Sequence, residues 1–310
     1  MSCFKLQCER NHAGESGGVS PRILSSSIML LLVAGSFYLL GAAEPRRLTH
    51  DGRAKQDPVF ASQGEAIDFA VYESQIQISL VRLQLANGEQ TRINPKANTS
   101  EFEPAYSRNG THMAFVQSRG NLNLKLVIRD LKTGQDAVFD AGGGFSGLHS
   151  PAFQPGTDRV FMSLPAKGGQ QIASVNLQAQ DRRELTTWAG ITNWPSLSPD
   201  GRQILCASSK DGDYEIYSMD SDGSNLRRLT ESNGRDTRPQ FSPDASQISF
   251  VSVRDGNPEI YVMDRRGSQI RRVTNHPERD DYPSWHPNGR QLVLMSERLG
   301  KTDMYLVDVP

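Results

Sequence analysis

Prolines at 58, 104, 151, 195, 239 and 283 stand 46, 47, 44, 44 and 44 residues apart, and their neighbours turn that spacing into a repeat. Two residues after each proline come Phe60, Tyr106, Phe153, Leu197, Phe241 and Trp285. Nine residues after come Ile67, Met113, Val160, Ile204, Ile248 and Leu292, and eleven after come Phe69, Phe115, Met162, Cys206, Phe250 and Leu294. Offsets nine and eleven lie on one face of a strand, whose side chains alternate with a period of two, so every copy carries a strand with one buried side.

Two copies divide further, "PSLSPDGRQILCASSKDGDYEIYSMDSDGSNLRRLT" (195–230) and "PQFSPDASQISFVSVRDGNPEIYVMDRRGSQIRRVT" (239–274). Each reads as a short first strand, a Pro-Asp turn, an apolar second strand, an Asp-Gly turn, a third strand containing Ile-Tyr, another Gly turn and a closing "RRLT" or "RRVT". Asp200-Gly201, Asp211-Gly212, Asp222-Gly223, Asp255-Gly256 and Asn288-Gly289 supply the positive φ that tight hairpins need. Four antiparallel strands in about 44 residues make a propeller blade. The expected fold is therefore all-β, a six-bladed β-propeller over 44–310 with blades starting near 58, 104, 151, 195, 239 and 283. No amphipathic helix is read after residue 43, and six blades leave no room in 44–310 for a second domain.

The last copy, 283–310, lacks the closing phrase, while "RRLTH" stands alone at 46–50. Arg227 precedes Pro239 by 12 residues, Arg271 precedes Pro283 by 12, and Arg46 precedes Pro58 by 12. The spacing predicts that a strand at 46–50 is the missing fourth strand of the last blade. Such a closure removes the open edges of a linear array.

Ahead of this strand runs "ILSSSIMLLLVAGSFYLLGAA" (23–43), uncharged, preceded by Lys5, Arg10 and Arg22 and ending in small residues. Residues 1–43 read as a signal peptide cleaved near Ala43, or as a signal anchor if uncut. The bulk of the chain is then periplasmic or secreted, with membrane contact only through a retained anchor. Cys3 and Cys8 precede the signal, which leaves Cys206 alone and the exported part without a disulfide. "GESGG" at 14–18 matches a nucleophile elbow in letters but has no strand-turn-helix around it. A formal net charge of −1, with Lys and Arg scattered, gives no footprint for nucleic acid.

In "PSLSPDGRQI…EIYSMDSDGSNLRRLT" and the copy that follows, the chain resembles the TolB-type propeller family of the bacterial cell envelope, strongly from 195 onward and weakly in the first three blades. The resemblance implies export to the periplasm and a non-catalytic role in protein contacts. It also implies, as partner, an envelope protein or peptide such as the lipoprotein Pal of the Tol-Pal system. The family's namesake carries an α/β domain before its propeller, for which 44–310 has no space, and this separates the chain from the TolA-linked part of that role. The expected protein is a monomeric, TolB-like propeller.

No catalytic set is assembled by the sequence. His50, His112, His149, His276 and His286 form no metal-binding motif, and the Asp-Gly turns lack the spacing of a calcium loop, so no metal or cofactor is assigned. "GGFSGL" (143–148) misses the nucleophile elbow by one residue, and the sequons at Asn98 and Asn109 matter only in a eukaryotic secretory pathway. Six crossover loops, about 50–57, 94–103, 140–150, 187–194, 231–238 and 275–282, should meet at one mouth of the central channel. They bring Trp194, Arg235, Arg238, Arg279, Tyr282, His50 and His276 forward as candidate partner-binding residues, since aromatics and Arg dominate protein contacts. Asp236 and Asp280, each three residues before a repeat proline, read as structural loop residues. The rival reading is a polysaccharide lyase or hydrolase working in the channel, with His50 and His276 as its only candidate residues.

Overall fold

The computed structural model describes residues 44–118, 123–142 and 147–309. The segment read as a signal lies outside the described residues, as do "GESGG", Cys3, Cys8 and most of "GGFSGL". All the described residues belong to one unit, 42–310.

Six four-stranded antiparallel sheets follow one another along this unit. Blade one runs through Lys55–Ala61, Ala66–Tyr72, Ile78–Gln84 and Gln90–Arg92, and blade two through Ser100–Tyr106, His112–Ser118, Leu124–Asp130 and Asp136–Asp140. Blade three uses His149–Phe153, Arg159–Ala166, Gly169–Asn176 and Arg183–Glu184, and blade four Thr192–Leu197, Gln203–Ser208, Glu215–Asp220 and Arg227–Arg228. Blade five uses Asp236–Phe241, Gln247–Ser252, Glu259–Asp264 and Arg271–Arg272. Blade six has Asp280–Trp285, Gln291–Arg298 and Lys301–Asp308, and its outer strand is Arg46–Arg47 from the other end of the chain. The expected closure is thus present, with Arg46 opposite Leu306 and Arg47 opposite Tyr305, and the Leu48 N–H bonded to the Met304 carbonyl at 2.8 Å. The only helical element among the described residues is the single turn Ser62–Gly64.

The three apolar offsets of the repeat become one packing unit. In every blade the residue two after the proline pairs directly with the residue nine after it, from Phe60 with Ile67 to Trp285 with Leu292. The offset-nine and offset-eleven side chains are all buried, at 0–1% exposure. Neighbouring blades share these clusters, so Phe69 and Val71 of blade one pack with Val293 and Met304 of blade six. Sheets stacked face to face in this way bury both sides of each blade. Cys206, in the second strand of blade four, sits in such a cluster, where burial pushes its thiol up to about 12.

The repeat proline itself lies inside the inner strand rather than at its start. In each blade the proline and the residue before it stand opposite a single partner, the offset-eleven residue, as shown by the breaks in register at 56/59, 102/105, 149/152, 193/196, 237/240 and 281/284. This is a β-bulge, and it explains the proline: a residue without an N–H belongs where the ladder already lacks a bond. The inner strands accordingly begin two to four residues before the repeat proline, which shortens the crossover loops from the ranges expected.

Candidate functional site at the channel

The bulge fixes the conformation of the residue that precedes each proline. Asp57, Glu103, Ser150, Trp194, Arg238 and Tyr282 all have positive φ, between 53° and 57°. None is a glycine, and bulky side chains adopt this left-handed conformation only under constraint, at about 1–3 kcal/mol each. A bulge re-aims its side chain. Here all six line one cavity of about 280 Å³ in the channel, with the six prolines beside them.

The ring is chemically divided. On one side Arg238 lies between two aromatic rings, 4.9 Å from the centroid of Trp194 and 3.8 Å from that of Tyr282. Its Nε donates to Asp281 Oδ1 at 2.9 Å, and Arg279 Nε donates to the other oxygen, Asp281 Oδ2, at 3.0 Å. Tyr214 adds a ring 5.8 Å from that of Trp194. Guanidinium stacking on aromatic faces and a shared carboxylate leave this group rigid, with the Arg238 Nη atoms unbonded among the described residues.

On the other side are two carboxylates. Glu103 accepts the Ser150 backbone N–H at 2.6 Å through Oε2 and contacts His149 Nδ1 at 3.1 Å through Oε1. Burial alone would lower the His149 imidazole, but the bond to Glu103 and the charges of Glu103 and Asp57 raise it above its ordinary value. Asp57 Oδ2 is buried with no partner among the described residues. Burial, reinforced by the charge of Glu103, pushes the Asp57 carboxyl up to about 8 against the opposing pull of Arg238.

The residues singled out from sequence separate into two groups. Trp194, Arg238 and Tyr282 are ring members, each within an inner strand. Arg235 and Arg279 are exposed just before the inner strands of blades five and six, and His50 is exposed in the connection that follows the outer strand of blade six. His276 is half-buried and its Nδ1 accepts the Glu278 N–H at 3.1 Å. Among the described residues no three His, Cys, Asp or Glu side chains are grouped to hold a metal. Asp236 and Asp280 open their inner strands and bond across them: Asp236 Oδ2 accepts Arg254 Nη2 at 2.7 Å, and Asp280 Oδ1 accepts Arg298 Nη1 at 3.0 Å. Asp200 and Asp222 bond within their own turns, Asp200 with the Ser198 hydroxyl and the Arg202 N–H, whereas Asp211 and Asp255 accept the hydroxyls of Tyr217 and Tyr261 in the third strands.

Asp57, Glu103 and Ser150 escaped the sequence reading, although a signal was available. The position before the proline carries Asp, Glu, Ser, Trp, Arg and Tyr in the six copies, six different polar or aromatic residues beside offsets that stay apolar.

Solved structures show how widely this frame is used. TolB from Acinetobacter baumannii matches with a TM-score of 0.65 at 21% identity over 80% of this chain, which spans 65% of that protein. Regucalcin, a calcium-binding protein from Agrobacterium tumefaciens, gives 0.63 at 16% identity, covering 86% of this chain and 94% of that one. An oligogalacturonate lyase in complex with manganese gives 0.58 at 20% identity, covering 85% and 79%. At these identities the likeness is one of fold. Residues 220–309 match the Tricorn protease N-terminal beta propeller domain. Residues 86–240, half of the chain, match the TolB beta propeller domain, and the chain belongs to that family.

Proposed function

We propose that the chain is an exported, non-catalytic binding protein of the bacterial cell envelope, which takes a segment of a partner protein or peptide into the channel at the ring. The observation that carries this reading is the Trp194–Arg238–Tyr282 stack. Large rigid side chains with a held guanidinium are the groups that dominate binding energy in protein contacts, and here strained backbone positions aim them at open space. Exposed Arg235 and Arg279 stand just before the inner strands of blades five and six, and Ile191, 40% exposed, just before that of blade four. Family membership supports protein contact as the general task, with a lipoprotein of the Pal type as one candidate partner. Residues 23–43 serve as the export signal in this reading.

The test is crosslinking in envelope extract with the tagged chain, against a variant carrying Arg235→Glu and Arg279→Glu. A specific envelope protein captured by the first and lost by the second supports the site. Equal capture by both moves the contact away from this mouth. A metal-dependent cleavage of anionic polysaccharide by the purified protein would replace the reading with that of an enzyme.

A further inference from the structure

We propose that the acidic wall of the ring, Asp57 with Glu103 and Ser150, is a receptor for a primary ammonium group, presented by the segment that enters the channel. This rests on the channel-binding reading above and names the chemistry of its occupant.

Four observations lead to it. Asp57 Oδ2 is a buried acceptor with no donor among the described residues, in a side chain that lines the cavity. A buried carboxylate oxygen left without a partner is costly and calls for a donor, best a charged one. Glu103, in the neighbouring blade, is already oriented by the Ser150 N–H and His149, so the second carboxylate is fixed in place. The cation across the ring, Arg238, is stacked between Trp194 and Tyr282 and bonded to Asp281, so it is committed where it stands. Finally, the left-handed backbone at Asp57, Glu103 and Ser150 holds all three in the bulges before any ligand arrives, which reduces the ordering needed on binding.

The chemical class follows from these groups. A compact donor of three N–H bonds suits two carboxylates and a hydroxyl, whereas no three His, Cys, Asp or Glu among the described residues are placed to hold a metal ion, and the neighbouring His149 is engaged by Glu103 Oε1 through Nδ1. A primary ammonium comes either from a peptide N-terminus or from a lysine side chain.

Asp57 is faced by Glu103 and Asp281, which favour its neutral form, and by Arg238 and His149, which favour the anion; Tyr72 and Tyr282 feel its charge in turn. With the carboxyl pushed up to about 8, an ammonium must displace its proton, so affinity should rise with pH up to about 8. A lysine ammonium keeps its charge over that window, while a peptide N-terminus loses it.

The experiment titrates the full-length protein by calorimetry with three probes: acetyl-Gly-Lys-Gly-amide, Gly-norleucine-Gly-amide with a free N-terminus, and the acetylated norleucine peptide, which has no ammonium. Binding by at least one amine-bearing probe, tenfold tighter than the acetylated norleucine peptide and weakened at least tenfold by Asp57→Asn, is expected. The probe that binds identifies the source of the amine. Ser150→Gly, which keeps the backbone N–H to Glu103 but removes the hydroxyl, should also weaken binding, by less than Asp57→Asn does, and thermal unfolding of Asp57→Asn controls for its fold. Equal binding of all three probes overturns the ammonium receptor while leaving a peptide-binding mouth intact. Binding of none, or tight binding of manganese chloride abolished by Asp57→Asn, overturns it as well. The channel-binding reading is decided separately, by the crosslinking result with the reversed arginines.

Discussion

Thr49 Oγ1 donates a 2.7 Å hydrogen bond to Asp303 Oδ1, joining residues 254 positions apart. Arg47 Nη2 reaches Asp303 Oδ2 at 2.5 Å, and buried Lys55 approaches Oδ1 at 3.4 Å. The same latch recurs inside blade four, where Thr230 Oγ1 and Arg228 Nη2 meet Glu215 at 2.6 and 3.0 Å, and in blade five around Glu259. The second Arg and the Thr of "RRLT" therefore clip an outer strand to the carboxylate that opens or lies within the third strand. At the ring closure the two halves of the clip come from opposite ends of the chain. Asp303→Ala leaves Thr49 Oγ1 and Arg47 Nη2 without their acceptor, while buried Lys55 keeps Asp51 and the Arg53 and Thr302 carbonyls, and should destabilise the protein by about 1.5–3 kcal/mol in urea unfolding. Deletion of residues 44–52 should lower stability at least as much; a truncated protein that unfolds at the parent midpoint would show that the closure contributes nothing.

The same carboxylate makes the closure sensitive to acid. Burial alone would raise Asp303, but hydrogen bonds from Thr49 and Arg47 and the charge of Lys55 outweigh it and hold the group below its ordinary value of 3.8. A depressed folded value contributes stability that is present above the unfolded value near 4 and is lost as pH falls through the folded one. The stability difference between the parent and Asp303→Asn should therefore shrink steadily from pH 5 toward pH 2. A difference independent of pH would contradict the ionised latch.

Asp57 should show the opposite sign. With a folded value of about 8 it retains a proton that the unfolded chain has already released above pH 4. Stability should fall as pH rises across the window from about 4 to 8. Asp57→Asn removes that term, so parent and variant should unfold at similar urea concentrations near pH 4.5, with the variant clearly more stable at pH 8.5. Parallel pH profiles would show that the ring does not perturb Asp57.

What the sequence discloses, and what it hides, can be traced to two neighbouring positions. The proline at each repeat is legible because it recurs, and the apolar residues at offsets two, nine and eleven are legible because strand alternation forces them to. These positions were enough to place six blades, and the interval from Arg46 to Pro58 was enough to place the closing strand. The residue one before the proline is not legible in the same way. Its importance comes from a bulge, and a bulge is a break in register between two strands that no single-strand periodicity records. Trp194, Arg238 and Tyr282 stand out by their chemistry, while Asp57, Glu103 and Ser150 fall unmarked at the ends of the expected loops 50–57, 94–103 and 140–150. His50 and His276 were selected for occupying equivalent positions in the repeat, yet equivalence within a repeat gives no information on whether two side chains share partners.

Contact between blades can be separated from backbone strain by comparing two turn glycines. Gly267 has φ +84°, and a Cβ there would stand 2.5 Å from the Leu229 carbonyl oxygen of blade four. Gly289 has φ +70°, and a Cβ there meets nothing nearer than Pro243 Cδ at 3.9 Å. Alanine at 289 pays only for the left-handed backbone, about 1 kcal/mol. Alanine at 267 must also push two blades apart, and should destabilise by roughly 1–3 kcal/mol more. Equal losses at the two sites in thermal unfolding would mean that the blade interface yields freely.

The strain in the ring is open to measurement at Ser150, its smallest member, which is bonded to Glu103 through its backbone N–H. Its φ of 57° belongs to the left-handed region, which disfavours a side chain by about 1–2 kcal/mol, whereas glycine adopts it freely and gives back about 0.5–1 kcal/mol in unfolded-state entropy. Ser150→Gly should therefore raise stability by up to about 1 kcal/mol, or roughly 2–4 °C in Tm for a domain of this size. Ser150→Ala keeps the Cβ and hence the strain, so it should not gain. The backbone N–H that orients Glu103 survives in both variants, which confines the comparison to φ. If alanine stabilises as much as glycine, the six left-handed residues are not strained and the bulge places its side chains in the channel without an energetic penalty.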